Sequence, residues 1–260
     1  MNNNPIGVYD SGFGGLSVWR ELYRALPAES LVYLGDGKNC PYGSLSEEQI
    51  RHLAEQSVEV LLEKGCKMIV VACNTATSAA IEYLRTRYPN VPFVGLEPAV
   101  KPACLNTKTG VVGVVATERS LAGAKFLTTL ARYGEGVKVI KAVGRGFVEA
   151  VESDEEQSAQ TEQLVRDVVE PIVAEGADII VLGCTHYPFL RDVIERVVSG
   201  REVLIIDSGE AVEKRVESLL DEYDLRSDVV VTPQYEFLTF ADEEYRRRLE
   251  QKARAIVGSR

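Results

Sequence analysis

Met68-Ile69-Val70-Val71-Ala72-Cys73-Asn74-Thr75 and Ile179-Ile180-Val181-Leu182-Gly183-Cys184-Thr185-His186 read as two copies of one segment. Each begins with an apolar run that has no polar face. A strand of that kind must be covered on both sides, as inside a parallel sheet flanked by helices. Each run then gives way to a cysteine and small polar residues. A second pair, Ile6-Gly7-Val8-Tyr9-Asp10-Ser11 and Val112-Gly113-Val114-Val115-Ala116-Thr117, precedes the first at nearly the same offset. Two similar α/β halves are the simplest source of both matches.

The rest of the chain keeps the same alternation. Short apolar runs at 5–9, 30–34, 67–72, 91–94, 110–115, 137–141, 178–182, 202–206 and 228–231 are strand candidates. Amphipathic stretches at 46–64, 76–88, 158–175, 189–198, 211–223 and 242–255 are helix candidates. Ser46 and Gln49 stand at the spacing of a capping box, which fixes where the first of these helices begins. The pattern predicts an α/β fold of two pseudo-symmetric domains with mainly parallel sheets. Leu96-Glu97-Pro98 and Asp207-Ser208 are the crossing points, giving a first domain of 1–97 plus 208–260 and a second of 98–207.

Composition narrows the function classes. The net charge of −10, from 29 basic and 39 acidic residues, disfavours tracking a phosphate backbone, so no nucleic-acid partner is expected. No apolar run approaches the ~20 residues that span a bilayer, so no membrane partner is expected either. Met1-Asn2-Asn3-Asn4-Pro5 lacks the basic start and apolar core of a leader, which makes the cytoplasm the expected location. Five cysteines (Cys40, Cys66, Cys73, Cys104 and Cys184) are an odd number and argue against a disulfide framework. Without a CxxC pair, and with only His52 and His186 to add, no closed zinc site is expected.

Cys73 and Cys184 each follow a buried strand and precede a helix. Ligands of parallel α/β sheets bind outside the C-terminal ends of the strands. A thiol there sits near a helix N-terminus, whose partial positive charge favours thiolate. A single such cysteine reads better as a small core residue; two at matching places in a repeat read as chemistry. His186, two residues past Cys184, is placed to take or supply its proton. Asp10-Ser11-Gly12-Phe13-Gly14-Gly15-Leu16-Ser17 suits a tight turn with exposed N–H groups. It lacks the spacing of a dinucleotide fingerprint and the Gly-Lys-Ser/Thr of a Walker loop. Asp10 is read as a base or amine-binding group beside a thiol. The Asp36-Gly37-Lys38-Asn39-Cys40-Pro41-Tyr42-Gly43-Ser44 stretch suits a rigid loop facing a ligand. His52 lies on a polar helix and is expected to be solvated. Cys40, Cys66 and Cys104 have no counterpart in the other half and are read as structural. The acidic run Glu149, Glu152, Asp154, Glu155 and Glu156 is read as a solvated face from which one member could turn inward.

Taken together, four pieces resemble the glutamate racemases of the Asp/Glu racemase family. They are the 7–17 stretch from Gly7 to Ser17, Pro41-Tyr42-Gly43-Ser44, Ala72-Cys73-Asn74-Thr75-Ala76 and Gly183-Cys184-Thr185-His186-Tyr187-Pro188. They occur in the family's order, and the resemblance covers nearly the whole chain. It implies an active site in the cleft between two α/β domains, no cofactor, and a homodimer. It implies interconversion of L-glutamate and D-glutamate, supplying D-glutamate for peptidoglycan. Cys73 and Cys184 would be the acid/base thiols, with Asp10 and Asp36 on the Cys73 side and His186 and Glu152 on the other. Substrate contacts would come from Ser11, Pro41, Tyr42, Gly43, Ser44, Asn74, Thr75, Thr117 and Thr185. One region departs from the family. Val143-Gly144-Arg145-Gly146-Phe147-Val148-Glu149-Ala150-Val151-Glu152 lacks the prolines usual there; its frame points to Glu152, with Glu149 as the alternative. Sibling racemisations of aspartate or hydantoins, a one-cysteine decarboxylase and a ligand-binding regulator without chemistry are the rival readings.

Overall fold

In the computed structural model, which describes residues 2–228, 230 and 232–258, the chain first lays down β1 (Ile6–Asp10), α1 (Leu16–Ala25), β2 (Leu31–Gly35), α2 (Glu47–Glu63), β3 (Met68–Val71), α3 (Asn74–Arg87) and β4 (Phe93–Gly95). It continues through α4 (Val100–Asn106), β5 (Val111–Ala116), α5 (Glu118–Ala122), α6 (Ala124–Tyr133), β6 (Lys138–Val143), α7 (Phe147–Glu152), α8 (Ala159–Ala174), β7 (Ile179–Gly183), α9 (Arg191–Val197) and β8 (Leu204–Ile206). It closes with α10 (Gly209–Glu222), β9 (Tyr235–Thr239) and α11 (Glu243–Gly258). Backbone contacts group these elements into two units, Met1–Leu96 with Gly209–Arg260, and Glu97–Ser208.

The first unit carries a five-stranded sheet in the order β4-β3-β1-β2-β9 and the second a four-stranded sheet in the order β6-β5-β7-β8. Every pairing is parallel. Read from the opposite end, β8-β7-β5-β6 repeats β4-β3-β1-β2. The sequence repeat is therefore a repeat of topology: β1 corresponds to β5 and β3 to β7, and each cysteine follows the strand beside the first. The apolar runs behave as two-sided burial requires, with all residues of β3 and of β7 buried. One face of the first sheet packs Tyr9, Val32, Leu34, Ile69 and Val71 against Ile50, Ala54 and Val58 of α2 and Ala76, Ala80 and Leu84 of α3. In the second unit Val112, Val114, Ile179 and Val181 pack on Val100, Ala103 and Phe126. Each fully buried large aliphatic side chain contributes about 1.5–3 kcal/mol.

Local signals set the boundaries. Ser46 caps α2 as a capping box: its Oγ accepts from the Gln49 N–H at 3.2 Å, and Gln49 Oε1 accepts from the Ser46 N–H at 2.9 Å. The expected strand at 228–231 rests partly on residues 229 and 231, outside those described; Asp228 and Val230 are not in a strand, and Val230 is exposed. The last strand is Tyr235–Thr239, at the sheet edge beside β2. An edge position needs no two-sided apolar run, so Tyr-Glu-Phe-Leu-Thr satisfies it. The returning segment is also tied by a buried ion pair. Lys67 Nζ donates to Glu29 Oε2 (2.6 Å), to the Asn2 carbonyl (2.6 Å) and to Ser227 Oγ (3.0 Å). The expected helix at 189–198 divides into a 3-10 turn, Tyr187–Leu190, and α9.

Candidate active site

In the first unit the C-terminal ends of three neighbouring strands meet. Asp10 ends β1 in register with Gly35 of β2, and Tyr9 is in register with Val71 of β3. This brings Asp10, Asp36 and Cys73 to one edge of the sheet. Cys73 is the N-cap of α3 in extended conformation, and its sulfur accepts from the Ala76 N–H at 3.4 Å. The thiol also donates to Ser11 Oγ at 3.6 Å. A sulfur that replaces the usual capping oxygen receives both a hydrogen bond and the positive end of the helix, and each favours thiolate.

Asp10 is fully buried, and its Oδ2 accepts from the Gly12 N–H at 3.0 Å. The loop that follows it fits only without a side chain at Gly15, where a Cβ would lie 2.5 Å from Asp10 Cβ and 2.8 Å from the Tyr33 hydroxyl. Tyr33 in turn donates to the Gly12 carbonyl at 2.7 Å. Phe13 is stacked on Tyr245 of α11, with ring centroids 4.5 Å apart. The returning C-terminal helix thus anchors the loop. Asn74 and Thr75 open α3 and are buried. Asn74 Nδ2 has no hydrogen-bond partner among the described residues. A buried donor left unpaired costs about 1–3 kcal/mol, so this one at a helix N-terminus is a site for an acceptor such as a carboxylate.

Asp36 and Tyr42 are tied together within the loop after β2. Both Asp36 oxygens accept from Asn39 Nδ2 at 3.0 Å, and Oδ2 also accepts from the Tyr42 hydroxyl at 2.6 Å. Asp36 and the Tyr42 side chain are buried. These bonds hold the loop, in which Pro41 and Ser44 are exposed and Gly43 is half-buried around a 3-10 turn.

In the second unit Cys184 follows β7, and its sulfur lies 3.8 Å from His186 Nδ1. His186 Nε2 lies 2.6 Å from Glu152 Oε1. His186 is buried and Glu152, the last residue of α7, is half-buried. Glu149 is exposed. The carboxylate facing His186 is therefore Glu152. The segment without prolines replaces them with close packing: a Cβ on Gly144 would lie 2.6 Å from the Tyr187 hydroxyl, which donates to the Gly144 carbonyl at 3.2 Å. Gly146 then starts α7 in the left-handed region. Burial, the charge of Cys184 and the charge of Glu149 push the Tyr187 phenol well above its ordinary range. Thr117 caps α5, accepting from the Ser120 N–H at 3.2 Å, and Thr185 is buried beside Cys184.

His52 is exposed, as its polar helix suggests. Cys66 and Cys104 are buried with thiols pushed up by burial, Cys66 to about 12, and are inert protonated core residues. Cys40 is half-buried. Tyr9, a buried phenol one residue before Asp10, is a further residue beside the site that the motifs do not single out. Its signal was a polar-tipped aromatic in an otherwise aliphatic strand.

Each unit thus offers one thiol flanked by buried proton-handling groups, the equipment of a thiol-based proton-transfer enzyme. The chain belongs to the Asp/Glu/Hydantoin racemase family, whose sequence model matches residues 6–215. A glutamate racemase of Herpetosiphon aurantiacus is 46% identical to it over 251 residues, 96% of this chain and 98% of that one. A crystal structure of a glutamate racemase from Bacillus anthracis matches with a TM-score of 0.87 at 31% identity, covering 98% of this chain and 95% of the other. The Francisella tularensis glutamate racemase, crystallised in complex with D-glutamate, matches with a TM-score of 0.83 at 25% identity, covering 100% and 95%.

Proposed function

We propose that this chain is a glutamate racemase that interconverts L-glutamate and D-glutamate with two thiols and no cofactor, supplying D-glutamate for peptidoglycan. The observation that carries the reading is the repeated thiol: Cys73 capping α3 in one unit, Cys184 beside His186 and Glu152 in the other. Inversion at Cα needs a base on one face and an acid on the opposite one. In each direction one sulfur starts as thiolate and takes the α-proton, and the other starts as thiol and returns a proton to the opposite face. Cys73 takes the proton of D-glutamate and Cys184 that of L-glutamate.

The α-proton is much less acidic than a thiol, so the developing carbanion needs stabilisation. The Asn74 amide and the N–H groups at the start of α3 suit the α-carboxylate, whose charge grows as the proton leaves. One well-aimed donor of this kind is worth roughly 3 kcal/mol. Asp10 suits the ammonium group. Glu152 holds His186 so that Nδ1 faces the Cys184 sulfur and relays its proton. Ser11, Asp36, Pro41, Tyr42, Gly43, Ser44, Thr75, Thr117 and Thr185 complete the substrate contacts. A cytoplasmic homodimer follows from the family resemblance, and light scattering on the purified protein measures the dimer.

Purified protein, incubated with either enantiomer and no added cofactor, should produce the other in a chiral separation. Cys73→Ala and Cys184→Ala should each abolish the reaction, and in D2O the product should carry deuterium at Cα. Full activity in either variant, or a requirement for pyridoxal phosphate, would overturn the reading. Aspartate or a hydantoin racemised in place of glutamate would replace the substrate and leave the two-thiol chemistry standing.

A further inference from the structure

We propose that Tyr9 is a positioning residue for Cys73, whose hydroxyl is turned away from the sulfur by a hydrogen-bond chain through Tyr42 to Asp36 and thereby keeps the Cys73 thiolate strongly basic. The inference rests on Cys73 serving as a proton carrier. Tyr9 is in register with Val71, two residues before Cys73, and Cys73 continues the strand in extended conformation. Side chains two apart along a strand share a face. Tyr9, Val71, Cys73 and Tyr42 accordingly belong to one buried cluster.

The direction of the chain follows from donor and acceptor chemistry. Asp36 as a carboxylate only accepts, so at 2.6 Å the Tyr42 hydroxyl must donate to it. The Tyr42 proton is then committed. Of the two phenols, 2.9 Å apart, Tyr9 must therefore be the donor. Both protons point toward Asp36, and the Tyr9 oxygen turns lone pairs rather than a proton to its remaining surroundings. The negative ends of these aligned dipoles, with the Asp36 charge behind them, oppose the helix that Cys73 caps. The coupling is mutual: burial first and the Cys73 charge next push the Tyr9 phenol well above its ordinary range.

The polar groups around Cys73 and Tyr9 set the balance. Ser11, from the loop after β1, and the Ala76 N–H of α3 bond the sulfur directly, Tyr9 of β1 interacts with its charge, and Asp10 of β1 with Asp36 and Tyr42 from the loop after β2 surround the Tyr9 phenol. From α2 come the apolar Ile50 and Ala54, while Arg51 directs its Nε to the Ala79 carbonyl at 2.9 Å. A helix N-terminus alone would give an easily formed but weak base. The phenol chain offsets that loss of basicity, which matters for a carbon acid.

The test is the pH dependence of Cys73 alkylation by iodoacetamide, followed by site-resolved mass spectrometry, in wild type, Tyr9→Phe and Tyr42→Phe. Tyr9→Phe removes the lone pairs. Tyr42→Phe removes the acceptor and frees the Tyr9 proton to turn toward the sulfur. Both should lower the apparent pKa of Cys73 by about half a unit or more, and Tyr42→Phe should do so further. With glutamate as substrate, kcat of Tyr9→Phe should fall about three- to tenfold while KM stays within about twofold, since the hydroxyl touches no substrate. An unchanged Cys73 profile in both variants, with far-ultraviolet circular dichroism of wild-type form, would overturn the proposal. A wild-type chain inactive on glutamate would overturn the racemase reading instead, and the alkylation comparison would still decide this one.

Discussion

Glu149 and Glu152 lie one helical turn apart on α7, and only Glu152 reaches His186. The carboxylate only accepts, so a neutral His186 carries its proton on Nε2 and leaves Nδ1 bare toward the Cys184 sulfur. That tautomer receives a thiol proton, and the carboxylate stabilises the imidazolium that results. Replacing Glu152 by glutamine removes the charge and lets the ring adopt the other tautomer. Glu152→Gln should lower kcat by about tenfold or more, and Glu149→Gln should stay within about twofold of wild type. Steady-state racemisation of both enantiomers checks this; equal losses in the two variants would show that α7 matters only as structure. At this scale Cys73, Cys184, Asp10 and His186 were legible because their types and their repeat signal chemistry directly. Between the two glutamates the sequence frame pointed to Glu152 and left Glu149 open. A six-residue helix set by Gly144 and Gly146 decides which side turns inward, and that depends on how Tyr187 packs.

The elements show a similar division between what a pattern encodes and what packing decides. Strands buried on both faces announce themselves, and so does the capping box at Ser46. Helix α1 was hidden by the glycine loop in front of it, although Leu16, Trp19 and Leu22 form its buried stripe. Strand β9 was misplaced because an apolar run outweighed a segment whose partner, β2, lies some 200 residues earlier in the chain. The junction of β1 and α1 is the element-scale feature the site depends on. Gly15 lets the start of α1 press against Asp10, and the atoms in the way are Asp10 Cβ and the end of Tyr33, itself bonded to Gly12. Neither is a free side-chain end, so the helix start must move. Gly15→Ala should cost about 1–3 kcal/mol in urea unfolding, with a rise in KM from the displaced Asp10 loop. Unchanged stability and KM would mean that α1 shifts without disturbing β1.

For the whole molecule, the buried acids of the two units fix how stability depends on alkaline pH. Tyr9 and Tyr42 in the first unit and Tyr187 in the second are buried phenols pushed up chiefly by desolvation, and Cys66 is pushed up to about 12 by the same cause. Unfolded, a thiol ionises near ~8.5 and a phenol near ~10. Above those values the unfolded chain sheds protons that the folded chain keeps, and stability falls as pH rises. Lys67 acts with the opposite sign. Burial lowers its ammonium pKa despite the Glu29 partner, so just below the ordinary lysine range the unfolded chain holds a proton that the folded one releases, and stability rises there. Three phenols and two thiols, Cys66 and Cys104, outweigh one ammonium. Urea midpoints should be nearly flat from about pH 7 to 8, then fall steadily from about pH 9 upward. Cys66→Ala should lower the whole curve by a small cavity cost but flatten its first alkaline stretch, because Cys66 is one of the two buried thiols, with Cys104, that begin to titrate there. The slope is therefore the discriminating quantity. A wild-type curve that rises through pH ~10 would mean Lys67 dominates and that the buried phenols open to solvent before the sheets unfold.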